Sequence, residues 1–175
     1  GGGLLTGHLS ARWEGPLNLV GQFELKGARL DEILPRDVPA LNLKGVLHLN
    51  ASYAMHADAK TGLLKPQQID ASFAVTRGEL MNTDLLRAIQ SAGSPTAGGR
   101  TPFDTLKGAV TLSQATYSYR DMHLSSGLVG ASGNFDVAPD GRLSGRINAE
   151  MRARGAVVRA PLKLSGTLQG SRLSR

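Results

Sequence analysis

A five-residue pattern recurs along the chain: an apolar residue, any residue, glycine, any residue and a second apolar residue. Alternation with period two is typical of a strand that buries one face. The glycine therefore falls on the apolar face, where strands bend or approach a neighbour closely. The copies span Leu5–Leu9, Leu19–Phe23, Leu43–Leu47, Leu106–Val110, Ala131–Phe135, Leu143–Ile147 and Leu164–Leu168.

Glycines repeated on one face predict a mainly β fold: a strongly curved antiparallel sheet with a concave apolar side, an open groove or half-barrel. Short links between consecutive strands favour antiparallel pairing. Residues 4–27 predict a hairpin that turns at Glu14-Gly15-Pro16, and Ala138–Gly141 predicts another turn. The predicted strands are 41–57, 68–77, 104–112, 115–119, 121–129, 130–137, 142–152, 155–160 and 162–169, with a turn at Thr61-Gly62.

Two segments do not follow the alternation of apolar and polar residues. Residues 28–34 predict one or two helical turns that stop at Pro35. The main helix is predicted over 83–92, after Gly78, with Asn82 or Thr83 as its cap, Asp84 in its first turn and Gly93 at its end. Residues 93–101 predict a loop.

Composition indicates a single domain over residues 1–175 with an aliphatic core, since 41% of residues are hydrophobic and only 5% aromatic. The absence of cysteine excludes disulfides and thiolate metal sites. The sequence contains neither a transmembrane run nor a signal peptide. We interpret it as a segment of a longer protein.

Positive charge is concentrated near the end of the sequence. Residues 142–175 contain eight Lys and Arg residues but one acid, Glu150. The charge indicates either a solvated strand face with protected edges or a contact with anionic lipid head groups. Nucleic acid is disfavoured because this stretch has no aromatic residue for stacking. Candidate anionic-surface contacts are Arg146, Arg152, Arg154 and Arg159.

Catalytic and metal-binding motifs are missing from the sequence. His8, His48, His56 and His123 have no second histidine at ligand spacing, and His8 and His48 follow the polar side of their strands. No Gly-x-Ser-x-Gly elbow or phosphate-binding loop occurs. We therefore expect no enzyme activity, metal or cofactor, although a carboxylate pair assembled by the fold stays a third, hydrolytic alternative.

An ordered set of motifs resembles the C-terminal region of the AsmA family of bacterial envelope proteins. A strand and helix over Phe73–Ile89 are followed by Thr101–Tyr117, with its T-x-F-x-x-L-x-G strand. Asp121–Ser126 and Ala131–Val137 complete the order. The match covers about residues 70–140 well and the flanks loosely. The chain departs from the family pattern in two places: Ala115 stands where the family usually has glycine, and the loop between the helix and the next strand is short.

The resemblance implies a periplasmic module of a protein anchored in the inner membrane by an N-terminal helix that this chain lacks. AsmA-like proteins are thought to form a long apolar β groove, related to bridge-like lipid transfer proteins. They support outer-membrane assembly and phospholipid traffic, and the family has no catalytic residues to transfer. The resemblance thus implies phospholipid as ligand, with other envelope proteins as further partners.

The hypothesis from the sequence is a non-enzymatic lipid-handling module whose inward strand positions line the groove. The same residues would equally make a closed core under the helix. A structural or protein-interaction module that receives another polypeptide is the second hypothesis. The candidate lining residues are Leu43, Leu47, Leu49, Phe73, Val75, Phe103, Leu106, Val110, Leu112, Phe135 and Val137.

Overall fold

The computed structural model describes residues 2–33, 43–57, 64–91, 98–153, 156–167 and 170–175. In this part of the chain ten strands form one antiparallel sheet, in which each strand pairs with its neighbours in sequence. The first and last strands do not pair there, so the sheet is open. The mainly β, antiparallel prediction is confirmed.

The strands are β1 (Leu4–Arg12), β2 (Asn18–Arg29), β3 (Leu43–Ala57), β4 (Leu64–Met81), β5 (Arg100–Ser113), β6 (Thr116–Ser125), β7 (Val129–Val137), β8 (Leu143–Ala153), β9 (Ala156–Thr167) and β10 (Gly170–Ser174). Two short helices interrupt them, α1 (Leu30–Ile33) and α2 (Leu85–Gln90). The predicted turn at Thr61-Gly62 and helix end at Gly93 lie outside the described residues.

Cross-strand register brings the alternating apolar residues together on one side of the sheet, the apolar face. Leu47 lies opposite Val75, Val75 opposite Leu106, and Leu106 opposite Leu124. The intervening positions, such as the exposed Lys107, form the polar face. Period-two alternation therefore determines which side of every strand faces the core.

The glycines of the five-residue pattern lie on the apolar face, as predicted, and neighbouring strands approach them closely. A Cβ at Gly21 would lie 2.7 Å from Oη of Tyr53, so the tyrosine side chain covers the glycine. A Cβ at Gly133 would collide with the carbonyl oxygen of Arg146 and lie 2.9 Å from Cα of Ile147. Glycine is required at Gly133 because backbone, which cannot rotate away, occupies the space of a side chain.

Strand β6 is continuous, whereas the alternation predicts two strands, 115–119 and 121–129. The extra residues form a bulge between Tyr119 and Met122, where Asp121 has a φ of 51°. The guanidinium of Arg120 donates to the carbonyls of Tyr119 and Phe135, at 2.9 and 3.1 Å. A bulge interrupts the alternation without ending the strand, which explains the wrong prediction.

Strand β9 is also continuous, although a break was predicted at Pro161. Proline lacks the N–H that an inner strand needs and is tolerated at a sheet edge. The last strand, β10, pairs only with Lys163–Thr167. Among the described residues, the side of β9 away from β8 has no partner at Pro161, and proline is tolerated at such an unpaired position. The prediction did not include β10.

The chain after residue 77 differs most from the prediction. Strand β4 continues through Gly78 to Met81, and α2 begins only at Leu85. Its N-cap is Asp84, whose Oδ1 accepts from the backbone N of Arg87 at 2.9 Å. The prediction that Asn82 or Thr83 caps the helix is wrong: Asp84 has the extended backbone that a cap requires.

Strand β5 begins at Arg100, inside the predicted loop, and its second residue anchors α2. Thr101 is only 4% exposed. Its hydroxyl donates to the carbonyl oxygen of Thr83 at 2.8 Å and accepts from the backbone N of Leu85 at 3.0 Å. The first N–H of a helix has no partner within the helix, so Thr101 supplies one from the sheet.

The main core lies between α2 and the C-terminal strands. Leu85, Ala88 and Ile89 are buried, and the helix packs against β5, β8 and β9. The smaller helix α1 packs against β2 and β3 and buries Leu30. From the sheet, the buried members of this cluster are Val75, Phe103, Leu106, Leu124, Val129, Val137, Leu143, Ala149, Ala160, Leu162, Leu164 and Leu173.

Candidate functional site

All eleven predicted groove-lining residues lie on the apolar face, but in two different environments. Eight belong to the core under α2 or pack against it: Val75, Phe103, Leu106, Val137, Leu43, Leu47, Phe73 and Phe135. The other three, Leu49, Val110 and Leu112, lie outside that cluster, and Leu112 is itself buried. For the eight, packing in the core accounts for the apolar side chain without a ligand.

The apolar face continues beyond the core across β1–β4. Phe23, Leu49 and Ile69 are half-buried there, outside the cluster under α2. On β1, Leu5 and Leu9 are 64% and 57% exposed. The helices pack elsewhere, α2 on β5, β8 and β9 and α1 on one end of β2 and β3. We call the set Leu5, Leu9, Phe23, Leu25, Leu49, Tyr53 and Ile69 the open apolar patch.

Most of this patch was missing from the predicted site, which included only Leu49 from it. The same alternation places Phe23 and Tyr53 on this face, and their rings lie 5.9 Å apart between centroids. Alternation could therefore have identified these residues. It could not show that they remain outside the core, because that depends on where α2 lies.

Two depressions lie on the opposite, polar side of the same strands. One, of about 660 Å³, is lined mainly by polar-face residues of β1–β5, among them Gln22, Glu24 and Asp70. A second, of about 340 Å³, shares His8, Gln22 and Asp70 with it. Both are open depressions, lined by polar side chains together with apolar residues such as Ala109 and Val20.

The predicted basic residues Arg146, Arg152 and Arg159 lie on the polar face of β8 and β9, while Arg154 lies outside the described residues. Arg152 Nη2 lies 2.7 Å from Glu150 Oε1, and Arg159 Nε lies 3.7 Å from Oε2. The hydrogen bond from Arg152 is the main reason that the pKa of Glu150 is lowered. The glutamate is held as an anion between two of the arginines.

The histidines are dispersed through the described residues. His8, His48 and His123 are exposed. Half-buried His56 lies with its Nδ1 2.6 Å from Oδ1 of Asn18. Within the described ranges, no three His, Cys, Asp or Glu side chains are placed to hold a metal ion. In the same ranges, no helix is long and apolar enough to cross a lipid bilayer.

A scan against protein-family models and searches of curated proteins and of solved structures gave no match. The resemblance to the AsmA family therefore rests on the motif order in the sequence.

Proposed function

We propose that this chain is a non-enzymatic envelope module that holds or conducts phospholipid along the apolar face of its sheet. The observation that supports this function is the open apolar patch. Leu5 and Leu9 expose more than half of their surface, and the patch continues without interruption into the core. Contiguous apolar surface of this kind marks a site that another apolar molecule covers.

The side chains of the patch suit an acyl chain. They are mostly aliphatic, and Ala51 lies opposite Ala71 in the middle of β3 and β4. The larger pairs Leu49–Phe73 and Tyr53–Ile69 flank these two alanines. The two alanines form a small depression that Phe23 and Val110 bound across the strands. A concave apolar face, an open groove or half-barrel, is the finer shape that we propose.

The AsmA resemblance supports the biological setting of the proposal. It implies a periplasmic location, attachment to the inner membrane through a segment outside this chain, and a role in outer-membrane assembly. In that setting, phospholipid is an abundant apolar ligand. The proposal needs no catalytic group, metal or cofactor.

The test is mass spectrometry of the organic extract of the protein, purified after expression in a bacterial periplasm. We expect phospholipid in stoichiometric amount. Changing Leu9→Asp or Leu49→Asp places a charge on the apolar face and is expected to remove most of the lipid. A charge next to an acyl chain is strongly unfavourable unless it is paired.

Val20→Asp is the matched control. Val20 is 56% exposed, almost the same as Leu9, but it belongs to the polar face of the adjacent strand. This variant should retain lipid. An extract without phospholipid, or equal loss of lipid in Leu9→Asp and Val20→Asp, would contradict the proposal. Circular dichroism verifies that all variants are folded.

The outer edge of β1, which has no partner strand among the described residues, favours a protein-interaction module as a second candidate. The nine residues of β1 are all exposed, and they contain neither proline nor lysine. Such an edge is a template for a further strand. This candidate predicts a specific polypeptide paired with β1 and an extract free of lipid. Disruption of the edge by His8→Pro would then abolish binding of that polypeptide.

A further inference from the structure

The polar face of the last three strands carries positive charge that is mostly uncompensated. Alternate positions of β8, β9 and β10 place five cations there. Glu150 is the single carboxylate of the three strands, and Arg152 and Arg159 already contact it. The cations on this face are Arg146, Arg152, Arg159, Lys163 and Arg172.

Two of these cations face each other directly. Arg146 lies opposite Lys163 in the register of β8 and β9, and Arg172 lies close by on β10, opposite Ser165. Across the ranges that the structure describes, the side chains of Arg146 and Lys163 have no ion-pair or hydrogen-bond partner. Like charges directly opposite one another destabilise a sheet. An anion bound between them would remove that repulsion.

Exposed aliphatic side chains accompany the charge at one end of these strands. Leu128 and Val157 are 64% and 53% exposed. They lie on either side of Arg152, which donates its backbone N–H to the carbonyl of Leu128 at 2.9 Å and pairs with Val157. Aliphatic residues beside arginine are typical of surfaces that enter the boundary between lipid head groups and acyl chains.

We propose that the polar face of β8–β10 docks on a membrane that contains anionic phospholipid. Leu128 and Val157 enter the interface, while Arg146 and Lys163 contact the head-group phosphates. Charge complementarity selects an anionic partner, and the exposed aliphatic residues select a membrane over a soluble anion. This surface lies on the opposite face from the open apolar patch, so the proposal does not depend on the proposed lipid groove.

The test is co-sedimentation of the purified protein with vesicles of phosphatidylcholine, with and without phosphatidylglycerol, at low and high salt. We expect binding to the anionic vesicles at low salt and release at high salt. Each cation near an anionic surface strengthens binding roughly fivefold. The double variant Arg146→Glu with Lys163→Glu is therefore expected to bind more than about 20-fold more weakly.

Arg12→Glu with Lys107→Glu is the matched charge control. Both residues are exposed on the polar face of distant strands, and the change in net charge is the same. This control should lose far less affinity than the first double variant. Equal losses would show that only net charge matters and would overturn the proposal, as would failure of the unaltered protein to bind anionic vesicles.

A second pair of variants tests insertion of the aliphatic residues. Leu128→Ser with Val157→Ser is expected to weaken vesicle binding about tenfold. Val20→Ser, an exposed valine on β2, is the control and should bind normally. Unchanged binding of the serine pair would contradict docking by insertion. Binding to duplex DNA in preference to anionic vesicles would also overturn the proposal.

Discussion

The glycine at position 133 provides a quantitative test of the close strand packing. Gly133 lies in β7, opposite Ile147 of β8. In Gly133→Ala, the new methyl group would collide with the carbonyl oxygen of Arg146 and lie 2.9 Å from Cα of Ile147. Both neighbours are backbone atoms, so the two strands must separate to make room.

Overpacking of this kind costs about 1–3 kcal/mol. Alanine also restricts the unfolded chain, which returns about 0.4–1 kcal/mol. We therefore expect a net loss of about 1–2 kcal/mol in the free energy of unfolding. For a domain of this size, the melting temperature should fall by about 2–8 °C.

Urea unfolding followed by circular dichroism measures the change, with Gly127→Ala as the matched control. Gly127 lies in the turn between β6 and β7, and a Cβ there would have no atom within 4 Å. We expect the control to be as stable as the unaltered protein or slightly more stable. If Gly133→Ala is as stable as the control, this glycine of the five-residue pattern does not mark a close contact between strands.

Three further predictions concern polar contacts, each measured by urea unfolding. Thr101→Val leaves the buried N–H of Leu85 unpaired and should lower the free energy of unfolding by about 1–3 kcal/mol. Thr101→Ser keeps the hydroxyl and should therefore be much more stable than Thr101→Val. Asp84→Ala removes the α2 cap and should cost about 1 kcal/mol. The pKa of Asp136 lies below its ordinary value of 3.8, mainly because the hydroxyl of Ser118 donates a hydrogen bond to the carboxylate. A neighbouring arginine lowers this pKa further. The ionised Asp136 therefore stabilises the fold above pH 3.8, and this stabilisation is lost as the pH falls through the lower pKa of the folded state. The difference in free energy of unfolding between the unaltered protein and Asp136→Asn should shrink below about pH 4. A difference that grows with acid, or a neutral Thr101→Val or Asp84→Ala, would contradict these assignments.

Alternation was sufficient to predict the strands and their faces because the pleat has the same period as the hydrophobic pattern. It failed where the outcome depends on a neighbour. Pro161 lies inside β9 at a position that has no partner on the β10 side among the described residues. The bulge at Asp121 preserves one strand where the pattern indicated two.

The candidate site was predicted only in part for a similar reason. Leu49 and Val75 have the same pattern in the sequence, yet Val75 is buried in the core and Leu49 lies outside it. The difference is that the buried cluster, to which α2 contributes by packing on β5, β8 and β9, includes Val75 and does not reach Leu49. Local sequence identifies the apolar face, whereas tertiary packing determines which part of it remains open.

Site-specific photo-crosslinking in living cells tests the central claim most directly. Leu49 and His48 are adjacent in β3, but Leu49 belongs to the open apolar patch and His48 is an exposed residue of the polar face. A photoreactive amino acid at position 49 should capture phospholipid, and the same group at position 48 should not. Capture of lipid at neither position, or equally at both, would contradict a lipid-bearing apolar face.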